Sequence, residues 1–173
     1  MSKMFLTNSE YLYSSFKRDI SKSPYKLLFE YAHNNIYALT TQKISVENQN
    51  ALLLHDGFVI ENGTIVYNKK NDITILEDIF QAYNANINAI RNDTLGNYVL
   101  GIFKEDVLTV FTEQSNCYDV FYYVDNDIWA ISSSLYDLVE PLKEKLSINK
   151  LNVLEWFSRH AILNDETVFN EIK

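Results

Sequence analysis

The chain has 173 residues, of which 47% are hydrophobic and 14% aromatic, enough for one compact domain with a buried core. Its net charge of −8, with fifteen Lys and Arg spread along the chain and no basic stripe, argues against a nucleic-acid partner. No apolar run approaches the roughly 20 residues of a membrane-spanning helix and the start lacks the apolar core of a signal peptide, so no membrane partner and a cytoplasmic location are expected.

The chain opens with Met1-Ser2-Lys3-Met4, for which an unstructured start is expected. Two β-prone runs, Tyr25 to Tyr31 and Ile36 to Thr41, flank the turn-like triplet His33-Asn34-Asn35 and predict a hairpin. Ala51 to Leu54 is apolar, and in Gly57 to Tyr67 the pair Asn62-Gly63 between β-branched arms predicts a second hairpin with a type I′ turn. After Asn71-Asp72, the spacing of Ile75, Leu76, Ile79, Phe80 and Tyr83 predicts a helix with one buried face, capped by Asp72 or Thr74.

Asn97 to Phe103 and Val107 to Phe111 read as strands joined at Lys104-Glu105-Asp106. Phe121 to Val124 and Ile128 to Ile131 follow, across Asp125-Asn126-Asp127, which makes four consecutive strands in antiparallel order. Ser133 or Ser134 should cap a short helix with Leu135, Leu138 and Val139, stopped near Pro141. Ser147 or Asn149 should start another with Leu151, Val153, Leu154, Trp156 and Phe157. Together these elements describe an α+β domain.

Chemistry-bearing residues are sparse. The single cysteine, Cys117, allows neither an internal disulfide nor a cysteine zinc cluster, and His33, His55 and His160 lack ligand spacing. Four glycines form no phosphate loop, so no cofactor and no metal are expected in this chain.

The run from Val107 to Leu142 resembles the hallmark segment of the asparagine synthase family, in which a strand, Arg-Asp-x-x-Gly, Leu-Tyr-Tyr, a hairpin, Phe-Ala-Ser-Glu and a short helix follow one another. Leu95 to Phe103 resembles that family's Leu-x-Gly-x-Phe-Ala-Phe strand, and Asp165 to Ile172 its Asp-x-Thr-x-Phe-x-x-Ile ending. The resemblance implies a glutaminase-like domain of the N-terminal-nucleophile type, two stacked antiparallel β-sheets flanked by helices, extending over residues 1–173 and C-terminally incomplete. An ATP-binding synthetase domain would be absent, so the implied partner is a synthetase domain or chain, with self-association as a further expectation.

In such enzymes a cysteine exposed at the mature terminus is the nucleophile, activated by its own α-amino group. Ser2 stands there in this chain and is a candidate nucleophile only if Met1 is removed. The Asn-Gly-Glu that holds glutamine and its oxyanion is matched best by Asp56-Gly57-Phe58, where a carboxylate would repel the oxyanion. Asn62-Gly63-Thr64 is the rival match, although a type I′ turn explains the pair equally well and is the preferred reading. Asp72 falls where the family binds the substrate ammonium, or is a helix cap. Glu113-Gln114-Ser115 and Ser134 replace charged positions of the family pattern. What the resemblance implies is a degenerate, non-catalytic domain, with an active amidotransferase using an unusual nucleophile as the alternative.

Overall fold

The computed structural model describes residues 3–43, 51–67, 74–83, 86–114, 118–159, 162 and 166–173. Nine strands form two antiparallel sheets among these residues. The five-stranded sheet runs β2-β3-β1-β9-β8, from β1 (Lys3–Thr7), β2 (Tyr25–His33), β3 (Ile36–Lys43), β8 (Phe121–Asp125) and β9 (Ile128–Ser132). The four-stranded sheet runs β4-β5-β6-β7, from β4 (Ala51–Leu54), β5 (Gly57–Tyr67), β6 (Thr94–Lys104) and β7 (Val107–Thr112). Helices α1 (Glu10–Ile20), α2 (Thr74–Ala82), α3 (Ile87–Asp93), α4 (Leu135–Leu142) and α5 (Lys150–Arg159) complete the described chain.

Strand alternation sorts the apolar residues into three layers. Met4, Leu6 and Ala38 of one sheet meet Phe58, Ile60, Val99 and Phe103 of the other in a layer between the sheets. The opposite face of the five-stranded sheet, with Phe5, Leu39, Tyr123 and Ala130, buries against Leu12 and Phe16 of α1 and Leu138 and Leu142 of α4. The opposite face of the four-stranded sheet, with Val59, Tyr98, Leu100 and Phe111, buries against Ile75, Leu76, Ile79 and Phe80 of α2. The result is an α+β protein with two antiparallel sheets stacked between helices, as the sequence predicts at that level.

The hairpin turns follow local chemistry. Asn34 and Asn35 both adopt positive φ between β2 and β3, as do Glu105 and Asp106 between β6 and β7, and Asn126 between β8 and β9. Three expectations are corrected. Gly57 to Tyr67 is one strand and not a hairpin: all eleven of its residues pair with β6 in unbroken register, and of Asn62-Gly63 only the glycine has positive φ. A type I′ turn needs left-handed backbone at both positions, and a long partner strand offers more pairing than a short hairpin arm. The four consecutive strands β6 to β9 are two hairpins in different sheets, because the chain crosses the sandwich between β7 and β8. The start is not unstructured from Lys3 onward: β1 is the central strand of its sheet, with Met4 and Leu6 fully buried.

Candidate functional site

The first candidate region lies at the start of β1. Lys3 and Met4 pair with Thr41 and Thr40 of β3, while Ser133 just after β9 binds Met4 twice: its Oγ accepts the Met4 amide at 3.0 Å and its amide donates to the Met4 carbonyl at 3.1 Å. On the helix side, the Lys3 ammonium meets the buried carboxylate of Asp137 on α4 at 2.5 Å. Burial pushes the Asp137 carboxyl above its usual range, opposed by Lys3 and by hydrogen bonds from Ser132 and Ser134. The serines that end the β8–β9 hairpin thus tie the first strand in place. Ser134 occupies the N-cap position of α4, but its side chain makes no capping bond.

On the face toward the other sheet, Met4 fills space rather than presenting chemistry. Its Sδ lies 3.6 Å from the point where a Cβ on Gly101 would sit, and the nearest Leu6 methyl lies 3.4 Å from it. The thioether is fully buried in apolar surroundings.

The second region is the middle of β5. Unbroken register keeps Asn62 in phase with Phe58 and Ile60, so its buried side chain belongs to the layer between the sheets, in a row Asn62–Val99–Thr112 across three strands. Gly63 beside it has φ 127°, and a Cβ there would lie 2.2 Å from the Asn97 carbonyl oxygen, which reserves this position for glycine.

On the helix-facing side, Glu61 is buried among apolar residues, and loss of water pushes its carboxyl up to about 7, only partly opposed by a hydrogen bond from the Ile65 amide. Tyr98, on the same face, bonds the Thr94 hydroxyl. Burial raises the Tyr98 phenol, with Thr94 and the Arg91 charge pulling it down and Glu113 pushing it up. The Arg91 guanidinium is itself committed: Nε donates to the Thr112 carbonyl at 2.9 Å and the group lies over the Phe111 ring.

A cleft of about 660 Å³ opens between β7 and the β8 edge, lined by Arg91, Phe111, Tyr118, Asp119, Tyr122 and Glu166 among others. Thr112 lines it, but Asn62 is two strands further in, about 10 Å at the usual inter-strand spacing. Neither Asn62 nor Glu61 lines this cleft.

The candidate residues from the sequence are not brought together. Asp56 and Gly57 lie at the β4–β5 turn, where the exposed Asp56 carboxylate contacts the His55 ring at 2.5 Å and raises the His55 pKa. Gly57 has φ 153°, and a Cβ there would collide with the Phe103 carbonyl. From Gly57 to Asn62 is five residues of strand, about 16 Å, so the two matches to Asn-Gly-Glu cannot serve one site. Of the two matches, Asp56-Gly57 lies at a turn, whereas Asn62-Gly63, expected as a turn, sits inside a strand of the sandwich. Ser2, Asp72, Cys117 and His160 lie outside the described residues.

Glu61 and the Lys3–Asp137 pair were missed. Glu61 is in phase with Val59 and Ile65, a signal hidden once Asn62-Gly63 is read as a turn. No protein-family model and no curated protein matches the sequence. Among the described residues, no helix is long and apolar enough to cross a membrane, and no group of His, Cys, Asp and Glu has metal-binding geometry.

Proposed function

We propose that this chain is a degenerate glutaminase-like domain of the asparagine synthase type, with an N-terminal-nucleophile fold, acting as a non-catalytic partner of an ATP-dependent amide-forming synthetase in the cytoplasm. The observation that carries the reading is the placement of Asn62-Gly63. The pair lies inside a strand of one sheet, and Asn62 faces the layer whose other wall is built by the first strand, β1, at the centre of the second sheet. In the family the Asn-Gly-Glu that holds glutamine and its oxyanion follows an apolar strand run, and Asn62-Gly63 here stands in β5 after Phe58-Val59-Ile60.

The non-catalytic half of the reading rests on what surrounds those elements. The sole cysteine of the sequence, Cys117, is far along the chain from its start, where the family carries its nucleophile. Met4 and Leu6 close the inter-sheet layer with apolar side chains, and Asn62 lies about 10 Å inside the nearest described cleft. An amide meant to stabilise an oxyanion has to reach the substrate carbonyl within hydrogen-bonding distance, about 3 Å. Here the sandwich keeps it among side chains.

A coupled glutamate-release assay tests the reading. The purified chain should release no glutamate from glutamine above background, and Ser2→Ala should change nothing. Turnover near 1 per second, lost on Ser2→Ala, would replace this reading with that of an active amidotransferase. For the partner role, the chain should co-elute with an ATP-dependent amide-forming synthetase from the same genome. Separate elution at every ratio removes that half of the proposal.

A further inference from the structure

Helix α5 is built the wrong way round for a surface helix of a monomer. Its one buried residue is Asn152, whose amide donates to Glu166 Oε2 at 2.8 Å and to the Thr167 carbonyl at 2.7 Å. Asn149 Oδ1 caps its first turn by accepting the Leu151 and Asn152 amides, both at 3.2 Å. The helix is therefore anchored by polar contacts. Leu151, Leu154 and Phe157, spaced three apart and so within an arc of about 120°, are 72%, 65% and 68% exposed. Trp156, 49% exposed, flanks them with its ring set edge-on to Phe157 at 5.3 Å.

We propose that α5 is a homodimer interface, in which two copies of the chain pack their α5 helices antiparallel about a two-fold axis through Leu154. The inference goes beyond the glutaminase-like reading and does not depend on it. An isologous contact requires residue i to meet j while j meets i. With the axis at Leu154, Leu151 of one copy meets Phe157 of the other, Leu154 meets its own equivalent, and Lys150 meets Ser158. Each apolar residue of the stripe thus finds an apolar partner, and no like charges are opposed.

Area and charge point the same way. At about 150–250 Å² for a large side chain, the exposed fractions leave on the order of 500 Å² of apolar surface on this face. That is at the upper end for a monomer's largest patch, and two such faces approach the lower limit of roughly 1,200 Å² for a specific interface before any polar rim is counted. The net charge of −8 would hold copies apart, but α5 carries two basic residues, Lys150 and Arg159, against one acidic residue, Glu155. The contact is made where the acidic surplus is absent, and repulsion from the rest of the surface is screened beyond about 8 Å at physiological salt.

Light scattering on the eluting protein at tens of micromolar should report twice the 20.2 kDa chain mass. Leu154→Glu should halve that mass while leaving far-UV circular dichroism unchanged, since the side chain is exposed in the single chain. In a Cys117→Ser background, Leu154→Cys should form an intermolecular disulfide under mild oxidation. Leu151→Cys alone should not, because antiparallel packing separates the two copies of that residue by about 9 Å along the axis, beyond the roughly 7 Å limit for a disulfide. Mixing Leu151→Cys with Phe157→Cys should restore cross-linking, as a dimer of the two variants. A single-chain mass at every concentration, a dimer that survives Leu154→Glu, or equal cross-linking at all three positions would overturn the proposal.

Discussion

Replacing Glu61 by glutamine tests whether the helix-facing side of β5 is as dry as the structure has it. Glu61 is buried beneath α2 with its carboxyl raised to about 7. A carboxyl whose folded pKa exceeds its unfolded value contributes stability that is fully present below the unfolded pKa, here 4.5, and is lost as pH rises through 7. The difference amounts to about 3 kcal/mol in full, and roughly 2 kcal/mol of it develops between about pH 5.5 and pH 8.5. Glutamine keeps the shape and can accept the Ile65 amide but does not ionise.

Glu61→Gln should therefore gain about 2 kcal/mol over the wild type on going from the lower to the higher pH, or about 4–8 °C in melting temperature for a chain of this size. Paired calorimetric scans at the two pH values measure it, and subtracting the wild-type curve cancels every other titrating group. The range stays above the sequence pI of about 4.8, where a chain without net charge would precipitate. Parallel melting curves for the two proteins would mean that Glu61 is hydrated and that this side of β5 is not dry.

Two other outcomes are expected. Lys3→Met should destabilise by about 2 kcal/mol, since it leaves the buried Asp137 carboxylate uncompensated, and Lys3→Met with Asp137→Asn should recover most of that in urea unfolding; a double variant no better than the single would deny the pair its role. Gly63→Ala should cost about 3 kcal/mol, as φ 127° disfavours any side chain and the new methyl would meet the Asn97 carbonyl; a loss under about 1 kcal/mol in the same assay would show that β5 and β6 part easily there.

Elements set by their own residues were legible in the chain. The Asn34-Asn35, Glu105-Asp106 and Asn126 turns adopt left-handed backbone because the flanking β-formers demand a reversal, which the short polar side chains of Asn and Asp tolerate. Helix α2 was legible because one apolar stripe at helical spacing fits one buried face. Of the candidate site, the sequence offered Asp56-Gly57 and Asn62-Gly63, and local turn chemistry favoured reading the second pair as a turn. Asn-Gly locally prefers a tight turn, and the glycine alone uses its left-handed freedom here, within a paired strand.

Tertiary structure decided where the local signal was balanced. Pairing with all of β6 outweighs a tight turn at Asn62-Gly63 and leaves Glu61 and Asn62 buried on opposite faces of one strand. The crossing between β7 and β8 divides four similar strands between two sheets, a partition that strand propensity does not encode. Lys3 to Thr7 is too short for its own pattern to announce a central strand, and it becomes one because β3 and β9 bond it on both sides. Helix α5 carries an apolar stripe that reads in sequence like any core-facing helix. Among the described residues, the bonds of Asn152 to Glu166 and Thr167 hold the opposite face inward and leave that stripe exposed, because which face a helix buries is set by what stands beside it.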